Sequence, residues 1–227
     1  MRYHGHDIAL VIFDLDGTLL DSTGIWGDID RIFFSHHGME VPEGYGEEIA
    51  VLGLRRGATY TREHYVPTLN EDEIMREWNE LSQEEYEKRL PLKPGAKEIL
   101  DYCRSLGLKL AVATSNSPEL YRPCIQRLGI AGYFDCFVDE TDVHNGKKTS
   151  AMYDLICKKL GYSPAETLVL EDTLDPIRNA SASGYATMAV YDPHTSKGKA
   201  LHMEASEYFA EDLMDALRHL REENARQ

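Results

Sequence analysis

Apolar residues are distributed along this chain in two alternating patterns. Short runs rich in aliphatic and β-branched residues, at Ile8–Phe13, Leu108–Ala113, Phe134–Val138, Thr167–Leu170 and Ala186–Val190, are too short for helices and predict buried strands. Between them, apolar positions recur at helical spacing over Ala96–Leu106, Pro118–Leu128, Ser150–Leu160 and Leu174–Ser183. Gly107, Gly129, Gly161 and Gly184 each fall just past one of these helices, where a left-handed residue closes the last turn. Strands separated by helices predict right-handed crossovers and therefore an α/β fold with a doubly wound parallel sheet. A closing helix is predicted over Glu211–Arg226.

One stretch breaks the alternation. From Thr23 to Leu90 no strand-like pattern occurs. Ile25, Trp26, Ile29, Ile32 and Phe33 share a helical face, Gly38 ends the run, and Val41-Pro42 interrupts the chain. Further helices are predicted over Tyr45–Leu52, Arg56–Tyr65 and Asn70–Lys88. The last has Asn70 as N-cap, with Glu71, Asp72 and Glu73 in the first turn, where negative charge suits the helix dipole. Leu92-Lys93-Pro94-Gly95 marks the return. The expected organisation is an α/β core of residues 1–22 and 92–227, with a small all-helical insert, 23–91, directly after the first strand.

Composition narrows the partners. With 24 Lys and Arg against 39 Asp and Glu, the formal net charge is −15, which argues against polyanionic nucleic acid. A phosphorylated small molecule stays open, because one local cation reverses the field inside a single cleft. Cys103, Cys124, Cys136 and Cys157 are widely spaced and read as buried, reduced thiols. Met1–Asp7 lacks the apolar core of a signal peptide, and no apolar run reaches membrane-spanning length. A cytoplasmic protein, monomeric or homodimeric and independent of membranes, is expected. His36-His37 has no second cluster at ligand spacing and reads as surface or interface.

Four strand ends carry chemistry. Val11-Ile12-Phe13-Asp14-Leu15-Asp16-Gly17-Thr18 places two carboxylates at the end of the first strand, and Asp14 and Asp16 share strand parity. Ligands of open α/β sheets bind beyond the carboxyl ends of the strands. Two anions so close repel one another and invite a hard cation such as Mg²⁺. Gly17 permits a sharp turn and close approach to a ligand; the plain alternative is an Asp-Gly turn.

The second strand runs into Thr114-Ser115-Asn116-Ser117-Pro118, hydroxyls at a helix start that suit either a phosphate cradle or simple capping. Asn145-Gly146-Lys147-Lys148 precedes the next helix. Two lysines there usually make a solvated surface, but a phosphoryl group beside Asp14 and Asp16 requires a cation. Glu171-Asp172 ends the strand Thr167–Leu170 and suggests metal binding, with an N-cap as the alternative.

These strings, in this order, resemble the four motifs of the haloacid dehalogenase superfamily, the aspartate-nucleophile phosphohydrolases. The resemblance covers essentially the whole chain, including a helical cap after the first strand. It implies Asp14 as nucleophile, Asp16 as acid and base, and Thr114 as phosphate ligand with Ser115 and Asn116 in the adjoining loop. Lys147 matches the family lysine by register, although Lys148 stands where proline is usual, leaving Lys147 against Lys148 open. Mg²⁺ is implied on Asp14, the main-chain carbonyl of Asp16 and Asp172, with Glu171 assisting.

A second departure is Pro176 in place of glycine. Cap residues Trp26, Arg55 and Arg56 are candidates to contact the substrate, the arginines on a Gly53-Leu54-Arg55-Arg56-Gly57 loop reaching into the cleft, with surface arginines on a cap helix as the plain alternative. The implied activity is a phosphatase acting on a small phosphorylated metabolite. The alternative is a β-phosphoglucomutase-like isomerase, whose cap opens with a histidine where this chain has Trp26.

Overall fold

The first long apolar run pairs on both sides, and that sets the architecture. In the computed structural model, which describes residues 1–50, 52, 54–143, 146–196 and 198–226, β3 (Leu10–Phe13) lies at the centre of a six-stranded sheet. Gly53 and Asn145 lie outside the described residues. The order is β5-β4-β3-β6-β7-β8, with β4 at Lys109–Ala113, β5 at Cys136–Val138, β6 at Thr167–Glu171, β7 at Ala186–Val190 and β8 at Tyr208–Ala210. Every neighbouring pair is parallel. In register, Phe13 faces Val112 on one side and Leu170 on the other. The carboxyl ends of β3, β4 and β6 therefore meet at one edge, and the strand order reverses direction about β3.

All four residues of β3 are buried, as expected for a parallel strand covered by helices on both faces. Leu10, Ile12, Ala111, Ala113 and Val169 pack with Met152, Tyr153 and Ile156 of α7 (Ala151–Leu160). The remaining helices of this part are α5 (Ala96–Ser105), α6 (Pro118–Arg127), α8 (Leu174–Ala182), α9 (Lys199–Ala205) and α10 (Leu213–Ala225). Cys103, Cys124, Cys136 and Cys157 are buried free thiols.

Four elements were not foreseen. β8 and α9 fall in a stretch with no periodic pattern, and β8 is a strand only because Met188 pairs with Tyr208 and Val190 with Ala210. A two-stranded antiparallel hairpin, β1 (Arg2–Tyr3) and β2 (His6–Asp7), precedes β3. Its turn residues, His4 at φ 44° and Gly5 at φ 88°, are both left-handed, the backbone that two-residue hairpins require.

The described chain divides into two units, residues 1–23 with 90–227, and residues 24–89. The second is helical: α1 (Ile25–His36), α2 (Tyr45–Ala50), α3 (Leu54–His64) and α4 (Glu71–Glu84), followed by a π-turn at Glu85–Arg89. Its core is aromatic, with Phe34 edge-on to Tyr45 and Phe33 against Trp78. Asn70 caps α4 as expected: its Oδ1 accepts from Glu73 N at 3.0 Å, and Glu73 Oε2 accepts from Asn70 N at 2.8 Å. Burial raises the Asp30 carboxyl to about 6. His36 and His37 both bond the Glu77 carboxylate, at 2.7 and 3.0 Å.

One expectation is corrected here. Arg55 and Arg56 do not lie on a loop but in the first turn of α3, where Arg55 bonds Asp72 at 3.1 Å and Arg56 Nε bonds the Leu52 carbonyl at 3.1 Å. Helix formation wins because Leu54 to Thr61 places Gly57, Ala58 and Thr61 on a buried face. Among the described residues no helix is long and apolar enough to cross a membrane.

Candidate active site

Asp14 follows β3 directly, its N–H still bonded to Leu170 O at 3.0 Å, so the sheet holds it where the three strand ends meet. Its carboxylate is buried and touched by Lys147 Nζ. Lys147 sits in a 3₁₀ turn, Gly146–Lys148, that leads into α7; its carbonyl accepts from Asn179 Nδ2 of α8 at 3.0 Å. The same ammonium reaches Glu171 Oε1 at 2.6 Å. Lys148 is exposed, so of the two lysines the structure brings Lys147 to Asp14.

Glu171 is fixed from the other side. Its Oε2 accepts from Asp172 N at 2.8 Å, Thr173 N at 2.9 Å and Thr173 Oγ1 at 2.8 Å. Asp172 accepts from Thr18 Oγ1 at 3.2 Å and Thr195 Oγ1 at 2.5 Å, and its carbonyl accepts from His202 Nε2 at 3.0 Å. Thr195 and His202 come from the stretch with no legible pattern, and no sequence signal pointed to them. Thr18 was within the first motif but unassigned.

Gly17, at φ 85°, passes so close that an added Cβ would lie 2.8 Å from Asp172 Cγ. Here the glycine is required both by its backbone and by its neighbour. Pro176 occupies the first turn of α8, where the absent N–H would have no intrahelical acceptor, and the helix forms normally.

Ligand atoms of Asp14, Glu171 and Asp172 all lie within 4.8 Å of one another, and all three residues are buried. Burial, together with the charges of Glu171 and Asp16, raises Asp14 to about 7 against the opposing pull of Lys147. Burial, with the charges of Glu171 and Asp14, pushes Asp172 well above the carboxylate range. Burial acts on Glu171 too, but Lys147 outweighs it and holds that carboxyl low. Lys147 in turn is held charged by Asp14 and Glu171 despite its burial. Three carboxylates share one ammonium, so ionising all three would leave about two negative charges uncompensated in a buried site, and protons on Asp14 and Asp172 relieve that load without a cation. A hard divalent cation with oxygen ligands is the group that this donor set fits.

Thr114 is buried at the end of β4, its Oγ1 accepting from Asn116 N at 3.1 Å, which leaves the hydroxyl proton to donate elsewhere. Asn116 Nδ2 donates to Asp16 Oδ2 at 3.1 Å, tying the second-strand loop to the half-buried Asp16. Ser117 begins α6 with Pro118 at the first helical position, yet its hydroxyl makes no capping bond. Exposed Ser115 lines a cavity of about 860 Å³ with Lys147, Lys148, Thr173 and Arg178. Trp26, Arg55 and Arg56 belong to the helical unit, where Trp26 is 54% exposed near the start of α1.

A family model of haloacid dehalogenase-like hydrolases matches residues 8–184, spanning the four strand ends. The chain belongs to that family. The fold of this family, an α/β core with a helical cap between the first and second strands, is the one described above. The phosphorylated carbohydrates phosphatase of Thermotoga maritima is 27% identical over 191 residues, 84% of this chain and 88% of that protein. The phosphoglycolate phosphatase of Salmonella typhimurium is 29% identical over 203 residues, 78% of this chain and 79% of that one. The crystal structure of a Thermotoga maritima protein provisionally named β-phosphoglucomutase superposes with a TM-score of 0.86 at 25% identity, covering 95% of this chain and 99% of the other. These relatives place the chain among hydrolases whose distant homologues are phosphatases of small phosphorylated metabolites.

Proposed function

We propose that this protein is a Mg²⁺-dependent phosphatase that hydrolyses a small phosphate monoester through an aspartyl-phosphate on Asp14. The observation that carries the reading is the buried Asp14 carboxylate, held by Lys147 beside Glu171 and Asp172. Asp14 attacks phosphorus, forming the acyl-phosphate bond as the ester oxygen departs; Asp16 gives that oxygen its proton. Asp16 then takes a proton from water, whose oxygen attacks the phosphorus, releasing inorganic phosphate and restoring Asp14. An ammonium has three protons, and Asp14 and Glu171 take two from Lys147, so the third is available to a phosphoryl oxygen. The Thr114 hydroxyl proton serves another. When bound on Asp14, Asp172 and the Asp16 carbonyl, with Glu171 assisting, Mg²⁺ supplies the charge that offsets the transferring group. Asn116 holds the Asp16 carboxylate ready for both proton transfers.

The substrate class is a phosphorylated sugar or comparable metabolite, supported by relatives named for such compounds. Trp26, Arg55 and Arg56 are the proposed contacts to its leaving group. The core and cap boundaries proposed from sequence, 1–22 with 92–227 and 23–91, remain part of this reading. An isomerase acting on a sugar phosphate is the second reading, favoured by the likeness to the provisional mutase. Trp26 at the cap start, where the mutases carry histidine, weighs against it.

The test is phosphate release from a panel of phosphate monoesters with and without Mg²⁺, beside Asp14→Asn. Release that needs Mg²⁺ and vanishes in the variant supports the phosphatase. Conversion of β-glucose 1-phosphate to glucose 6-phosphate without net release establishes the isomerase instead.

A further inference from the structure

Away from the buried carboxylates, the described residues hold a second group of metal-binding side chains, and its chemistry is different. His219 and Glu223 are four residues apart on α10, one above the other on a single face. His4, from the turn between β1 and β2, closes onto them. Ligand atoms of all three lie within 4.8 Å of one another. The two imidazoles meet Nε2 to Nε2 at 2.9 Å, joining positions 215 residues apart in the chain. Glu223 is buried; its Oε2 accepts from His4 N at 3.0 Å, and its Oε1 pairs with Arg226.

We propose that His4, His219 and Glu223 form a binding site for a divalent transition-metal ion of the zinc class, which staples the first hairpin to the last helix. The imidazoles are aimed before an ion arrives. The Tyr208 ring stacks on His219 at 3.6 Å and 3° between planes, and Tyr3 meets it edge-on at 6.0 Å. Tyr208 is itself held through its hydroxyl on Asp215 at 3.1 Å. Two imidazole nitrogens on a tetrahedral ion at ordinary Zn–N lengths lie roughly 3.3 Å apart. The present 2.9 Å contact therefore needs to open by only roughly 0.4 Å, within side-chain adjustment.

Two nitrogens and one carboxylate select a borderline ion over Mg²⁺, which prefers oxygen, so this site does not compete with Asp14, Glu171 and Asp172 for Mg²⁺. Three protein ligands leave one position for water. Arg226 is the competing cation, bonded to Glu223 Oε1 while Oε2 accepts from His4 N, but each carboxylate oxygen carries a second lone pair that an ion can use.

The test is Zn²⁺ titration by calorimetry on EDTA-treated protein in excess Mg²⁺, with Co²⁺ absorption as a probe of tetrahedral nitrogen coordination. His4→Asn removes the ligand while keeping a residue that tolerates left-handed backbone; His219→Phe keeps the ring beneath Tyr208. The expected result is one Zn²⁺ equivalent and a rise in Tm for the native chain. Each variant loses roughly 100-fold in affinity and shows no Zn²⁺-induced rise in Tm. His4→Asn alone decides the matter if His219→Phe does not fold. Absence of Zn²⁺ binding to the native chain, or binding that survives in folded His4→Asn, overturns the proposal. Ions held only by the Asp14 cluster would give the latter result.

Discussion

Asp14 ionises near pH 7 in the metal-free protein because it is buried beside two further carboxylates, and this has a thermodynamic consequence. Between the ordinary value of 3.8 and about 7, the folded protein keeps a proton that the unfolded chain has released. The folded state then binds more protons, so stability falls as pH rises through that window and levels off above it. A shift from 3.8 to about 7 corresponds to about 4 kcal/mol. Asp14→Asn removes this titration while its carbonyl oxygen still accepts from Lys147, and it also relieves Asp172 of one repelling charge.

In EDTA, the stability of the variant relative to the native protein should rise by about 4 kcal/mol between roughly pH 4 and pH 8, or about 8–16 °C in Tm for a chain of this size. The assay is thermal unfolding followed by circular dichroism across that range. Groups outside the Asp14 cluster cancel in the difference, and the relief of Asp172 acts in the same direction as the loss of the Asp14 titration. Addition of Mg²⁺ should flatten the slope of the native protein by supplying the missing countercharge. Parallel curves for the two proteins in EDTA would refute the reasoning, because they would mean that Asp14 ionises at an ordinary carboxylate pH.

Other consequences follow from single contacts. Lys147→Ala should lower kcat/KM about 10²–10³-fold, since it removes the cation at the reacting group, while Lys148→Ala, on an exposed residue, should change it by less than about 3-fold. Equal losses in steady-state assays would count against the assignment of Lys147. Gly17→Ala should destabilise the fold by about 1–2 kcal/mol through its left-handed backbone. The new Cβ should also displace Asp172 and weaken Mg²⁺ binding in calorimetry; unchanged affinity would contradict the observed proximity. All four cysteines are buried, and burial pushes the Cys103 and Cys124 thiols up to about 12 and about 11. Ellman's reagent should find them only after denaturation, and fast labelling of the native protein would disprove the packing.

What the sequence determined was local. A run such as Leu10–Phe13 reads as a covered strand, because it is too short for a helix, rich in β-branched residues and without a polar face. Asn70 with Glu73 announces a helix start through bonds that span three residues. The motifs were visible for the same reason, since each carboxylate or hydroxyl sits immediately beyond a strand whose pattern is clear. Plain caps would look the same at Thr114 and Asp172, and it was the order of the four strings, through the family resemblance, that singled those residues out. What only the folded chain decided was every feature whose energy lies in a distant partner. Tyr208–Ala210 is a strand because β7 offers it a free edge, and His4 lies in a turn that no apolar pattern marks. Lys147 and Lys148 are identical in composition and adjacent in sequence; a 3₁₀ turn buries one against Asp14 and leaves the other in water. Thr195 and His202 reach Asp172 across more than twenty residues, from a segment without periodicity. Periodicity records which face of an element is covered, but not what covers it, and the positions of these side chains are set by that covering.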